Sequence, residues 1–361
     1  MAELDEKDLL TRAGEMAAKT WPGAEVSGLR RLPGGVSSLT FAASLRIPGR
    51  DEQRIVLKVA PPGLAPVRNR DVLRQARVIR LLDAVPGMRV PPVLFEDPRV
   101  PPFFAMRLMP GDSYEPLLDV MRVPPAAEVV GARARAAARM LAHMHSVDPH
   151  DLGVGDEPVL SASEELERWA RLLATVDDDI CPGHEELYHR LAARIPGPAA
   201  RATLVHGDYR LANMLFVGER LSAVIDWEIW AVGDPRIDLA WLLMHTDPVH
   251  RFTEVRDEAN EDAGRGMPKL SELLAEYLSV RQVEVPELEW FLACCHYKTA
   301  ATIAALVKRN RRRPDPDSAL ITAGRSLPRV IERGHEIMTA VEEGRHWRNP
   351  QRPHAPRRRG R

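Results

Sequence analysis

Residues 203–240, TLVHGDYRLANMLFVGERLSAVIDWEIWAVGDPRIDLA, constrain the fold more than any other stretch. Three short apolar runs carry polar residues at their edges. Thr203–Val205 leads into His206-Gly207-Asp208. Met214–Val217 is followed by the turn Gly218-Glu219-Arg220, and Leu221–Ile225 ends in Asp226-Trp227-Glu228. Apolar runs this short, flanked by glycine, read as strands joined by a tight turn. That geometry puts Asp208, Asn213 and Asp226 at neighbouring strand ends, converging on one point. Two carboxylates and an amide so placed form a hard-oxygen site. Mg²⁺ suits it, because that ion keeps several waters and takes the rest of its shell from phosphates.

The order H-G-D-x-x-x-x-N and then I-D-W-E resembles the catalytic segment of aminoglycoside phosphotransferase-type kinases, which share the protein-kinase fold. The kinase pattern is H-R-D-x-x-x-x-N followed by D-F-G. Here Gly207 stands in place of arginine, and Trp227-Glu228 in place of Phe-Gly. The resemblance implies an α+β, two-lobed fold. Residues 1–110 would form a small antiparallel β N-lobe with one helix and 111–344 a mostly helical C-lobe; the Pro- and Arg-rich 345–361, without apolar periodicity, reads as a basic, disordered tail. It implies that Asp208 accepts the substrate hydroxyl proton and that Asn213 and Asp226 hold Mg²⁺ against the phosphates of ATP or GTP. His206 and Asp238, the latter in GDPRIDLAWLL, would support the catalytic loop.

Upstream, residues 5–20 predict a helix with Leu9, Leu10, Ala13, Met16 and Ala17 on one face. Val26–Leu32, Leu39–Ile47 and Arg54–Val59 predict three strands, the last two joined at Pro48-Gly49. Between the first two lies Pro33-Gly34-Gly35-Val36-Ser37-Ser38. Glycine lets backbone N–H groups approach an anion closely, so Ser37 and Ser38 are nucleotide candidates. Ile55-Val56-Leu57-Lys58-Val59 resembles the kinase V-A-I-K strand, which makes Lys58 a phosphate ligand. The helix over 69–84 departs from the family, with Gln75 where a glutamate is expected to meet that lysine. Gln75 accepts a hydrogen bond but brings no charge; Asp71, one turn earlier, is the other candidate partner. Residues 90–95 and 103–109 predict two more strands, and Pro110-Gly111 a hinge. The family's hinge backbone bonds the purine edge, which implicates Arg107, Leu108 and Met109.

Beyond the hinge the pattern turns helical, over about 126–147, 163–176, 184–194, 269–281, 287–309 and 317–343. His143 and His145 lie two apart on a helix and face different ways, so they are structural rather than a metal pair. Trp230, Trp241, His245, Tyr277, Trp290, His296 and Tyr297 are candidates for an acceptor pocket. Composition narrows the partners. A net charge of −1 argues against a global nucleic-acid or membrane partner. No apolar run reaches about 18 residues, so no span is expected. The acidic, amphipathic N-terminus is unlike a signal peptide. Cys181, Cys294 and Cys295 are too few for a disulfide framework or zinc site and read as core residues. A reducing cytoplasm follows as the expected compartment.

The expectation is therefore a small-molecule kinase acting on a hydroxyl. No G-x-x-x-x-G-K-[ST] P-loop is present. An antibiotic phosphotransferase is one alternative, and a pseudokinase or nucleotide-binding scaffold, favoured only by Gln75, is another. A metal-dependent hydrolase using His206 and Asp208 would need more ligands nearby. The wording DWEIWAVGDPRIDLAWL looks closest to the family branch linked to acyl-CoA dehydrogenases, which is associated with hydroxyacyl-type acceptors. Glu254, Asp257, Glu258, Glu261 and Asp262 are interspersed with arginine, which suits a polycationic aminoglycoside poorly. ATP and GTP both stay open, as does oligomeric state.

Overall fold

The computed structural model describes residues 4–32, 38–65, 67–115, 125–247, 249 and 264–344. The expected glycine loop with Ser37, the five acidic residues between 254 and 262 and the basic tail lie outside these residues.

Helix α1 (Glu6–Thr20) starts where the Asp5 carboxylate accepts the amides of Lys7 and Asp8. It buries Leu9, Ala13, Met16 and Ala17, the face the spacing predicts, and also Arg12. Five strands follow: β1 (Glu25–Arg31), β2 (Leu39–Arg46), β3 (Gln53–Val59), β4 (Val93–Asp97) and β5 (Phe103–Arg107), with α2 (Val72–Asp83) between β3 and β4. They pair antiparallel in the order β1-β2-β3-β5-β4. Strand alternation sorts β3 between two cores. Ile55, Leu57 and Val59 join the cluster under α1, whereas Val56 faces the larger cluster shared with α2 and the helical half. Lys58 shares the face of Val56, so its ammonium points to that side of the sheet. Two boundaries differ from expectation. Helix α2 starts at Val72, because Asp71 caps it on the amide of Arg74. Strand β4 starts only after Pro91 and Pro92, which have no N–H for the ladder.

The second half contains α3 (Ala127–Ser146), β6 (Val159–Leu160), α4 (Ala162–Leu173), α5 (His184–Ala192), β7 (Thr203–Val205), the hairpin β8 (Met214–Val217) and β9 (Arg220–Val224), and β10 (Ala231–Gly233). Helices α6 (Pro235–Met244), α7 (Leu270–Val280), α8 (Leu288–Arg311), α9 (Ser318–Arg325) and α10 (Leu327–Glu342) complete it. The single helix expected over 317–343 is split, with Pro328 in the first turn of α10. Among the described residues, helix α8 alone is long and apolar enough by length and composition to cross a membrane, and 83% of that window is buried inside the fold. Its Cys294 and Cys295 are buried free thiols, as is Cys181.

The hinge is strapped to the second half. Asp112 and Phe216 exchange backbone hydrogen bonds of 3.0 and 2.9 Å. Gly111 (φ +122°) lies so close that a Cβ would sit 2.5 Å from the Phe216 carbonyl, so no other residue fits there without moving β8.

Arg12 is the core residue the apolar pattern misses. Its Nε donates to Asp97 at 2.9 Å, and its Nη2 to the carbonyls of Arg99 and Pro101. Both side chains are at most 5% exposed. Arg99 also contacts Asp97, and together the two guanidiniums hold that carboxyl below its ordinary range against the opposing effect of burial. Arg12→Met should lower unfolding free energy in urea by about 3 kcal/mol. A loss under about 1 kcal/mol would mean that Arg99 alone satisfies Asp97.

Candidate active site

Strand β7 delivers the loop His206-Gly207-Asp208, and α6 fixes it from below. Helix α6 begins at Asp234, whose carboxylate caps the amide of Arg236, with Pro235 in the first turn. One turn on, Asp238 is fully buried. Its two oxygens accept the backbone amides of His206 (2.5 Å) and Gly207 (2.8 Å). His206 is held on both ring nitrogens. Nδ1 accepts the Asp208 amide at 3.2 Å, so the proton sits on Nε2, which donates to the Ile225 carbonyl at 2.9 Å. Gly207 has φ +86°, and a Cβ there would meet the Ile229 carbonyl at 2.8 Å. This is why glycine stands where kinases carry arginine.

Asp208 is oriented by two neutral donors. Trp241 Nε1 reaches Oδ1 at 2.8 Å, and Asn213 Nδ2 reaches Oδ2 at 2.8 Å. Arg210 lies 3.3 Å from the carboxylate. Burial alone would raise the Asp208 pKa. The charges of Arg210 and Lys298 and the Asn213 hydrogen bond outweigh it and hold the carboxyl below 3.8. Asn213 also donates to the Asp208 carbonyl at 2.9 Å. Its amide nitrogen is thus committed and its Oδ1 is left as the acceptor. The Asn213 carbonyl accepts the amide of Ile225, which sets Asp226 beside this cluster.

Asp226 has φ +69°, a backbone conformation few residues other than glycine adopt. Its Oδ1 accepts Lys58 Nζ at 3.1 Å, and the lysine also reaches Ser38 Oγ at 3.4 Å. This corrects the expected pairing: neither Gln75 nor Asp71 meets Lys58. Gln75 is buried with its Nε2 on the Asn69 carbonyl (3.3 Å), and Asp71 is committed to the α2 cap. Helix α2 instead docks through Arg74. Its guanidinium lies 3.7 Å from the Trp230 ring centroid, bonds the Trp230 carbonyl and pairs with Glu157. Two of the three expected hinge amides are spent within the sheet, Arg107 on the Pro92 carbonyl and Leu108 on the Arg54 carbonyl. Among the described residues the Met109 amide has no such bond.

Of the seven expected pocket residues, Trp241 and His245 lie at this site. His245 donates through Nδ1 to the Trp241 carbonyl, and burial, with Arg210 nearby, lowers its pKa to about 4. The others pack elsewhere. Trp230 sits under Arg74, Trp290 bonds the Leu191 carbonyl, Tyr297 and His296 are core on α8, and Tyr277 meets His145. Sequence reasoning missed Lys298. It stands on α8, buried between Trp241 and Trp169 near Glu165, and donates to the Gly207 carbonyl. One charge inside an apolar helix was its only signal.

Among the described residues no group of three or more His, Cys, Asp or Glu side chains is placed to hold a metal ion. The donor set is instead the half-exposed Asp226 carboxylate and Asn213 Oδ1. That fits Mg²⁺, which needs only one or two protein oxygens when phosphates and waters supply the rest.

Residues 28–273 match a family model described as the phosphotransferase enzyme family, APH. Acyl-CoA dehydrogenase family member 10 of Mus musculus is 27% identical over 274 residues, 72% of this chain and 25% of that protein. The chain thus spans a quarter to about a third of the first curated relatives it matches. A crystal structure from Ralstonia eutropha, provisionally named an aminoglycoside phosphotransferase, superposes with TM-score 0.70 at 22% identity, covering 93% of this chain and 99% of that one. A thermostable mutant of aminoglycoside phosphotransferase APH(4)-Ia, in ternary complex with ADP and hygromycin B, gives TM-score 0.57 at 17% identity, covering 91% and 97%. The fold is the two-lobed, kinase-like α+β fold that the sequence implies.

The crowding at Gly207 gives a stability test. Gly207→Ala should cost at least about 2 kcal/mol in urea unfolding, from the left-handed backbone plus the Ile229 clash. Gly14→Ala, in α1 with open space around it, should gain roughly 0.5–1 kcal/mol. Equal effects of the two would mean the loop relaxes freely.

Proposed function

The chain belongs to the phosphotransferase enzyme family, and on that premise we propose that it transfers the γ-phosphoryl group of a Mg-nucleotide, ATP or GTP, to a hydroxyl of a small metabolite. The observation that carries this is the state of Asp208: an ionised carboxylate, half-buried, aimed by Trp241 and Asn213 on a loop pinned by Asp238. Asp208 takes the proton of the acceptor hydroxyl. The acceptor oxygen forms its bond to the γ-phosphorus while the bond to the bridging oxygen breaks, and the nucleoside diphosphate leaves with that electron pair. Asp226 and Asn213 Oδ1 are the groups that would hold Mg²⁺, which supplies charge neutralisation on the phosphates. Lys58, already beside Asp226, faces the same phosphates. Ser38 flanks it, and the Met109 amide is the hinge donor available to a purine. The Lys58–Asp226 pair also removes the reason to read Gln75 as a sign of lost turnover.

For the acceptor, the charges nearest the base favour a carboxyl- or acyl-bearing hydroxy compound. Arg210 sits 3.3 Å from Asp208, and Lys298 lies behind it. Arginine can hold a carboxylate bidentately, although Glu115 lies 3.9 Å from Arg210 and Glu165 3.8 Å from the buried Lys298. The relationship to acyl-CoA dehydrogenase family members supports the same class. An antibiotic acceptor is the second reading, favoured by the likeness to the hygromycin B complex.

Incubating the protein with Mg²⁺ and ATP or GTP against hydroxy acids, their CoA esters, aminoglycosides and macrolides, with mass spectrometry for one added phosphoryl group, decides between them. Hydroxyacyl compounds should react. Aminoglycoside phosphorylation at about 1 s⁻¹ or faster would select the second reading. Asp208→Asn should lower kcat by roughly 10²–10⁴-fold, and activity near wild type would remove Asp208 from the role.

The pH profile follows from the lowered Asp208 pKa. The base must be deprotonated, and its carboxyl lies below the ordinary 3.8. The carboxylate form therefore persists as pH falls, and Asp208 should impose no loss of kcat/KM between about pH 8 and 5. An acid limb with a midpoint near 6 that vanishes in Asp208→Asn would contradict this.

A further inference from the structure

A second cavity of about 600 Å³ lies between the C-terminal ends of α3 and α7, the start of α6 and two proline-containing loops. Its size is that of a small-molecule site. None of Lys58, Asp208, Asn213 or Asp226 lines it. Leu239, Val283, Val285 and Pro286 give it an apolar wall. Three arginines also border it, and two are already neutralised: Arg236 by Asp234 and Arg201 by Asp148. Arg281 is not. Among the described residues no carboxylate lies within ion-pair distance of it. Among the described residues its only side-chain bond is to a neutral group, from Nη1 to the Tyr277 hydroxyl at 2.9 Å. Its backbone is fixed at the end of α7 by the Tyr277 carbonyl at 3.0 Å. Glu284 also lines the cavity, outside ion-pair distance of Arg281. A guanidinium without an ion-pair partner beside a partly apolar cavity is a carboxylate receptor.

The bond to Tyr277 has a direction. Arginine only donates, so the Tyr277 oxygen accepts and its own hydrogen turns to His145 Nδ1, 2.9 Å away. His145 is buried, and its Nε2–H then faces Asp238 at 3.8 Å. That Nε2 has no hydrogen-bond partner among the described residues, and Asp238 is the carboxylate beside it. Asp238 is the carboxylate that holds the amides of His206 and Gly207. The cavity is thus linked to the loop bearing Asp208 by two oriented hydrogen bonds, Arg281–Tyr277 and Tyr277–His145, and an electrostatic contact of 3.8 Å from His145 to Asp238.

We infer that this cavity binds a small monocarboxylate with an apolar body, its carboxylate on Arg281, and that occupancy is transmitted to the catalytic loop through Tyr277 and His145. Calorimetric titration of the full chain with hexanoate, hexanol and hexylamine tests the site. Hexanoate should bind saturably, and the other two at least about tenfold more weakly, the weight of one charge-assisted hydrogen bond. Arg281→Gln should weaken hexanoate by a similar factor. So should Val283→Trp, which narrows the cavity from its exposed rim. Hexanoate affinity unchanged in both variants, or no binding up to roughly 10 mM, overturns the site. Hydrogen exchange tests the transmission. Saturating hexanoate should alter exchange at the His206 and Gly207 amides in the wild type but not in Tyr277→Phe. No change in the wild type, or the same change in Tyr277→Phe, overturns the chain. Neither readout needs turnover, so failure here and failure of the kinase reading are separate results.

Discussion

Everything at the site hangs on one buried carboxylate. Asp238 has no exposure, and its charge is balanced by backbone amides rather than by a cation at bonding distance. A carboxylate taken out of water is costly unless its oxygens are satisfied. The cost is met only when His206 and Gly207 turn their N–H groups inward. That turn needs the left-handed backbone at Gly207, and it sets the direction in which Asp208 leaves the loop. Helix α6 therefore does more than fill the core, since its first turn dictates the geometry of a loop some thirty residues earlier in sequence. Lys298 closes the same loop from the other end, on the Gly207 carbonyl.

Much of this was legible in the chain because it rests on local rules. The apolar face of α1, the strand that carries Lys58 and the hairpin at Gly218 are each written within a few residues. Order and spacing led to the expectation that Asp208, Asn213 and Asp226 converge, the family resemblance added Asp238, and the fold brings the four together. What escaped was long-range charge pairing. Lys58 meets Asp226, 168 positions away. The spacing rule instead looked for its partner on the next helix, where Gln75 is occupied by the Asn69 carbonyl. Arg12 and Lys298 were invisible for the same reason: a charge in an apolar pattern reads as a break until its partner is located.

The Lys58–Asp226 pair bears on how the site is kept ready. Asp226 adopts a backbone conformation that costs on the order of 1–3 kcal/mol for a residue of its kind. The lysine and the Ile225–Asn213 bond hold it there. Helix α2 contributes by a different route from a direct ion pair to Lys58. Arg74 covers Trp230, four residues past Asp226, and Glu157 fixes Arg74.

The two faces of the five-stranded sheet have unequal fates. One is sealed by α1 into a private core, while Val56, Phe104 and Met106 on the other share a continuous cluster with α2 and the helices of the second half. The first hundred residues are consequently not a transplantable module. Cut free at the hinge, they would expose the part of that second face that α2 does not cover, as a sticky apolar patch. In the course of synthesis, then, the amino-terminal portion leaves the ribosome able to complete half of its interior. It must wait for the carboxyl-terminal portion to cover the rest.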